Sequence, residues 1–147
     1  MTHAAEQTEN TAELFPRSLS DVIRAKRGQA ELRLSKTREI DALVGPVDAA
    51  SGIKDEIDNW RLVTFIDKAS NDAKVLLIGD SMIKRHPAVT SPIASIDLVK
   101  GIALTRNQSV YKLGNRGYGE PSEDGLMFLC TAMHHWGAGA ALGVPRF

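Results

Sequence analysis

The sequence predicts an α+β domain: N-terminal helices, a small antiparallel five-stranded β-meander or partial barrel, and an apolar C-terminal helix. Three observations lead there. Apolar residues recur at i, i+3, i+4 early in the chain, the period drops to two from Arg61 onward, and a helical apolar run returns after Ser122. With 147 residues, 43% of them hydrophobic and 24% charged, the chain has the size and composition of one globular domain, placed at 17–147. That composition excludes a wholly disordered, collagen-like or coiled-coil chain. A single cysteine, Cys130, excludes an intramolecular disulfide framework and a Cys-rich zinc module.

Residues 1–16 read as a disordered tail, carrying Glu6, Glu9 and Glu13 but no base, and ending at Pro16. No basic segment followed by an apolar one opens the chain, so a signal peptide is not expected. The segment 17–59 is expected to be helical. Ser18 is its N-cap, with Asp21 in the first turn to complement the helix dipole, and Leu19, Val22 and Ile23 start an apolar stripe. Gly28 leaves the stretch to Val44 as one weak helix or two, and Gly45-Pro46 stops it. A short second helix follows Ser51, with Ile53, Ile57 and Trp60 on one side and Asp55, Glu56 and Asp58 outward.

The β-core is expected at 60–114. Leu62–Ile66 and Lys74–Ile78 flank the turn cluster Ser70-Asn71-Asp72 and read as a hairpin, against a competing helix over Gly52–Ala69. Val89–Asp97 is a third strand whose Pro92 marks an edge or a bulge. Ile102–Thr105 and Ser109–Leu113 complete five strands, a count that suits a meander closed into a barrel or half-barrel. After a glycine-rich loop at 114–121, Ser122 caps the last helix, expected over 122–142.

Leu126–Pro145 carries no charged residue and is long enough to cross a bilayer. Its two histidines, its glycines and its proline favour a buried helix, and the protein is expected to be cytoplasmic, with no membrane partner. Leu126, Leu129, Cys130, Met133 and Gly137 form one stripe, and Phe128, Ala132, His135 and Gly139 another. A helix apolar on most sides must be covered on most sides. Trp136, Met133, Phe128 and His135 are therefore the expected contacts to a protein partner of unknown identity, or to a second copy in a homodimer, with Trp136 as anchor.

Overall charge is zero, with 18 bases against 18 acids, but it is arranged in blocks. Segment 17–38 has seven bases against two acids, and 39–72 has eight acids against three bases. Blocks of opposite sign can fold together, or one can be offered to a partner. Arg24, Arg27 and Arg33 of the basic block are candidates for nucleic-acid contact. A second basic surface would combine Lys84, Arg85 and His86 with Arg106, Lys112 and the ring of Tyr111.

Reactive constellations are sparse. His134 and His135 are adjacent, so they cannot chelate one ion as an i, i+4 pair does, and Cys130 with His134 supplies two ligands where zinc takes three or four. Apolar neighbours should raise the Cys130 pKa rather than activate it. Gly114, Gly117 and Gly119 lack the Lys-Ser/Thr of a phosphate cradle. No catalytic residue, metal site or cofactor is expected.

Two resemblances enter here. Gly79-Asp80-Ser81 after an apolar strand is similar to the opening block of GDSL-type esterases, which would imply Ser81 as nucleophile. The Asp-x-x-His pair that supplies the base in that family has no counterpart after Asp80. The series Trp60-Arg-Leu-Val-Thr, His86-Pro87, Thr90-Ser91-Pro92, Ile96-Asp97, Thr105-Arg106 and Tyr111-Lys-Leu-Gly114 resembles a group of small proteobacterial proteins of plasmid and phage type. That resemblance implies a β-core and no transferable activity. The resulting expectation is a non-catalytic interaction or regulatory factor, for instance a mobile-element-encoded inhibitor of a bacterial defence or regulatory complex. A nucleic-acid-binding regulator using 17–38 and a small hydrolase using Ser81 are the alternatives.

Overall fold

The computed structural model of the chain describes residues 15–147. The tail expected at 1–16 thus lies, but for its last two residues, outside the described residues. The fold is α+β, built on one seven-stranded sheet: β1 (Ala30–Leu34), β2 (Asp55–Asp67), β3 (Asp72–Ser81), β4 (Pro87–Val89), β5 (Ile93–Asp97), β6 (Ile102–Thr105) and β7 (Val110–Leu113). Among the described residues, helical structure is limited to a 3-10 turn at Leu19–Asp21, a short helix at Thr37–Asp41 and the C-terminal helix Glu123–His135.

The expected N-terminal helices are therefore corrected. Ala30, Leu32 and Leu34 repeat with period two, and β1 pairs Ala30–Leu34 antiparallel with Val63–Asp67 of β2. Leu19, Val22 and Ile23 are buried, as a helical stripe would be, but their spacing is met within a single turn. The segment after Ser51 is strand rather than helix. Asp55 and Ile57 face inward while Glu56 and Asp58 are less buried, which is a strand's alternation. At Asn59-Trp60 a β-bulge adds one residue to β2, so that Asp58 pairs Asp80 and Arg61 pairs Ile78. Asn59 takes the left-handed conformation at φ +50. The extra residue moves Trp60 back to the buried side, where it is 6% exposed. Ile57 and Trp60 thus share a side at a spacing of three, which in the sequence imitates a helix.

The bulge also explains a glycine. A Cβ on Gly79 would stand 2.6 Å from the Asp58 carbonyl oxygen, 2.6 Å from Ile57 Cγ2 and 3.0 Å from Trp60 Cα. Only a residue without a side chain lets β3 pass the bulged backbone.

The five-stranded antiparallel meander is corrected as well. Strand order is β4-β3-β2-β7-β6-β5, with β1 added on β2, and the β2–β7 pair is parallel. β2 is 13 residues long; its first part pairs with β7 over Asp55–Ile57 and its last part with β1. The expected single strand at 89–97 is split around Pro92 into β4 and β5. These two strands are the ends of the sheet, yet they are consecutive in the chain. From Val89 to Ile93 the backbone spans at most ~14 Å. A flat sheet of six strands would set its edges ~24 Å apart. The sheet must curl, and Thr90 marks the bend: its N–H donates to the Leu77 carbonyl at 2.9 Å and its Oγ1 accepts from Leu77 N–H at 3.2 Å.

One core lies inside the curl, around Ile57, Leu62, Leu77, Ile93 and Ile96. A second lies between the sheet and the C-terminal helix, where Leu126, Leu129, Cys130 and Met133 meet Leu19, Val22, Val63, Leu76 and Ile78, and a small third gathers Val47, Ile102 and Val110. Each such leucine contributes about 2 kcal/mol by burial. The helix is thus buried along one stripe, completed by the chain's own 19–23 and 142–144 segments. Of its second stripe, Phe128 and His135 are exposed, Ala132 is half-buried and Gly139 is buried. The helix ends at His135, earlier than expected. Gly137 (φ +86) takes the left-handed position, with Ala138 N–H bonding the Met133 carbonyl and Gly137 N–H that of His134. Among the described residues no helix is long and apolar enough to cross a membrane.

Candidate functional site

The turn joining β3 to β4 is held from beneath by buried polar groups. Ser81 Oγ donates to Asp55 Oδ2 at 2.5 Å and accepts from Lys84 N–H at 2.9 Å. Asp55 Oδ1 accepts from the N–H groups of Glu56 (2.7 Å) and Ile83 (3.3 Å). Ser81 N–H donates to the His86 carbonyl and Arg85 N–H to the Ser81 carbonyl, with Arg85 at φ +59. Ser81 is 2% exposed and Asp55 8%. A buried carboxylate needs such donors to offset its lost hydration. Ser81, His86, Asp58, Asp80 and Asp124 do line one open cleft of about 500 Å³. The Ser81 hydroxyl, however, bonds Asp55, which does not line that cleft, and the His86 ring bonds the Pro87 carbonyl through Nδ1 at 2.7 Å. In this geometry Ser81 fastens a turn.

That turn presents His86 to the C-terminal helix, where its ring stacks on Phe128 at 5.1 Å between centroids. The stack borders a groove of about 470 Å³ lined by Lys54, Lys84, His86, Val89, Tyr111, Phe128 and Trp136, among others. Trp136 and Ser91 also line an adjoining cavity of about 310 Å³, whose other walls include Leu32, Phe65, Leu76, Pro92 and Met133. Both volumes lie in the range of ligand-binding concavities. Phe128 and Trp136 remain 41% and 45% exposed.

Of the candidates from sequence, His86, Tyr111, Phe128 and Trp136 meet in this groove, and Met133 borders the adjoining cavity from the core. His135 is exposed at the end of the helix and lines neither space. Arg85 lines the cleft on the far side of the β3–β4 turn, and Arg106 reaches only the Ala73 carbonyl at 3.5 Å. The basic helix imagined for 17–38 does not form. Arg24 and Arg27 instead bond the carbonyls of Asp21 and Ile23 through their Nε atoms. Arg33 is clamped to Glu39 by two parallel bonds of 2.7 and 3.0 Å. Lys54, Asp55 and the cavity walls Leu32, Phe65 and Leu76 were not singled out by sequence; the alternation of 55–58 was the signal for the first pair.

The Arg33 fork, with the Lys36 N–H and the Thr64 hydroxyl, holds the Glu39 carboxyl down at about 2 from an ordinary 4.5. A carboxyl depressed by folding stabilises the native state above its ordinary pKa, and the contribution is lost as pH falls from about 4.5 to about 2. Solvent at the rim of the pair limits this to about 1 kcal/mol. Urea titrations should show Glu39→Gln less stable than the parent at neutral pH, with the difference vanishing toward the acid end of that window.

Cys130 is fully buried, and burial pushes its thiol up to about 11, which leaves it without nucleophilic character near neutrality. His134 is a structural clasp: its Nε2 bonds the Val144 carbonyl at 2.6 Å and ties the C-terminal tail to the helix. Among the described residues, no group of three or more His, Cys, Asp or Glu side chains is placed to hold a metal ion. No family model matches the chain, and neither a curated protein nor a solved structure matches it.

Proposed function

We propose that the protein is a non-catalytic interaction factor of regulatory type, which holds a protein partner in the groove between the β3–β4 turn and the C-terminal helix. The observation that carries this reading is the convergence of His86, Tyr111, Phe128 and Trp136 from three separate elements onto one concave surface. Aromatic side chains that line a pocket at its centre are the residue types on which interface energy concentrates. The hydrogen bonds that occupy Ser81 and Asp55 support a role for these two in building the groove wall.

Capture experiments test the reading. Tagged wild-type chain, a Phe128→Ala/Trp136→Ala double variant and a Val99→Ser control are each exposed to lysate of the source cell. Val99 lies in the β5–β6 turn, 98% exposed and apart from the groove. A partner retained by the wild type and the control but lost from the double variant, at equal thermal midpoints, is the expected result. The same partner retained by the double variant contradicts it.

A further inference from the structure

Resting on that reading, we infer that the groove takes an acidic polypeptide segment bearing one large apolar side chain, with the apolar group in the cavity beside Trp136 and the carboxylates against Lys54 and Lys84. Charge carries the first half of this inference. Among the described residues, the titratable groups lining the groove are Lys54, Lys84, His86, Tyr111 and Asp55. Asp55 is the one acid among them, and its oxygens already accept from Ser81 and from the N–H groups of Glu56 and Ile83. Lys54 and Lys84 are exposed and, among the described residues, take part in no ion pair. Among the described residues, the only charged group lining the adjoining cavity is a further cation, Lys74. An occupant rich in carboxylates meets ammonium groups along this path, whereas a basic one meets like charge.

Shape carries the second half. The cavity of about 310 Å³ is walled chiefly by apolar groups and lies beside the groove, with Trp136 and Ser91 lining both. A chain lying in the groove can therefore turn one side chain into it. Water occupying an apolar space makes few hydrogen bonds, so its displacement by an apolar group favours binding. Lys74 stands 3.9 Å from Asp72, a long exposed pair that an incoming carboxylate can compete with.

The test uses the full chain and four fluorescein-labelled probes: Glu-Glu-Phe-Glu-Glu, the same peptide with Ala for Phe, the same with Lys for each Glu, and oligo-dT. Fluorescence anisotropy is the readout, with Trp136 emission as a second signal, since Trp60 is buried outside the groove. The Phe-bearing acidic peptide should bind tightest and weaken with salt. Binding should fall about tenfold for Trp136→Ala, recover in part for Trp136→Phe, and fall about tenfold at low salt for Lys54→Glu/Lys84→Glu. Lysine peptide or oligo-dT binding as tightly, or indifference to the charge reversal, overturns the inference. So does a concentration-dependent dimer abolished by Trp136→Ala, which would make a second copy the occupant. If no peptide binds while groove-dependent capture holds, the inference falls and the interaction reading stands; if capture itself ignores the groove, both fall.

Discussion

Gly79→Ala is expected to cost about 2–3 kcal/mol of unfolding free energy, the range of an overpacked core site. The new methyl would meet the Asp58 carbonyl oxygen and Trp60 Cα, both backbone, besides Ile57 Cγ2. Backbone atoms cannot rotate away as the end of a long side chain can, so β2 and β3 would have to part at the bulge. At roughly 2–4 °C per kcal/mol for a chain of this size, thermal unfolding should begin several degrees earlier. Gly28→Ala is the matched control, since nothing lies within 4 Å of its Cβ position and its φ is not in the left-handed region. It should be neutral or slightly stabilising through the unfolded state. Equal effects at the two positions would remove the bulge from the account of why a glycine precedes Asp80.

Asp55→Ala should be about as damaging, near 3 kcal/mol. The Ser81 hydroxyl and the N–H groups of Glu56 and Ile83 lose their acceptor, and a buried donor left unpaired costs about 1–3 kcal/mol. Ser81→Ala removes one member of the network and should cost about half as much. Denaturant midpoints of the two variants and their double should show strong non-additivity, because the groups share one bond. The same substitutions should loosen the 81–86 turn that carries His86 and Lys84, so probe affinity at the groove should fall with stability. Ser81→Ala at wild-type stability would show that the hydroxyl fastens nothing.

How much of this was legible in the sequence varies by element. The hairpin of β2 and β3 was readable because Leu62–Ile66 and Lys74–Ile78 are β-branched runs around a polar turn. Ser122 was readable as a cap, and its hydroxyl does accept from Gly125 N–H at 3.1 Å. Ala30–Leu34 was misread although its alternation is plain, because Leu19, Val22 and Ile23 just before it have helical spacing. The start of β2 was misread for a different reason: one bulged residue turned a period of two into a spacing of three. Gly137 stopped the helix where Gly139 and the alanines beyond suggested that it ran on.

The site shows the same division. His86 and Tyr111, and separately Phe128 and Trp136, stand out by residue type. That they meet depends on the curl of the sheet, which follows from the short link between β4 and β5 and leaves no local trace. Leu32 and Phe65 look like ordinary core positions until the cavity beside them is seen. Arg24, Arg27 and Arg33 look available until their partners, two nearby carbonyls and Glu39, are in place.

Hydrogen exchange of the free chain against its captured complex tests the central claim most directly, since it reports which backbone is shielded. Slowed exchange over 83–91 and across the Phe128–Trp136 end of the helix, with none at the Leu98-Val99 turn, is the pattern that follows from a groove-bound partner. Shielding confined to that turn or to Thr37–Asp41, with the groove unchanged, would contradict it.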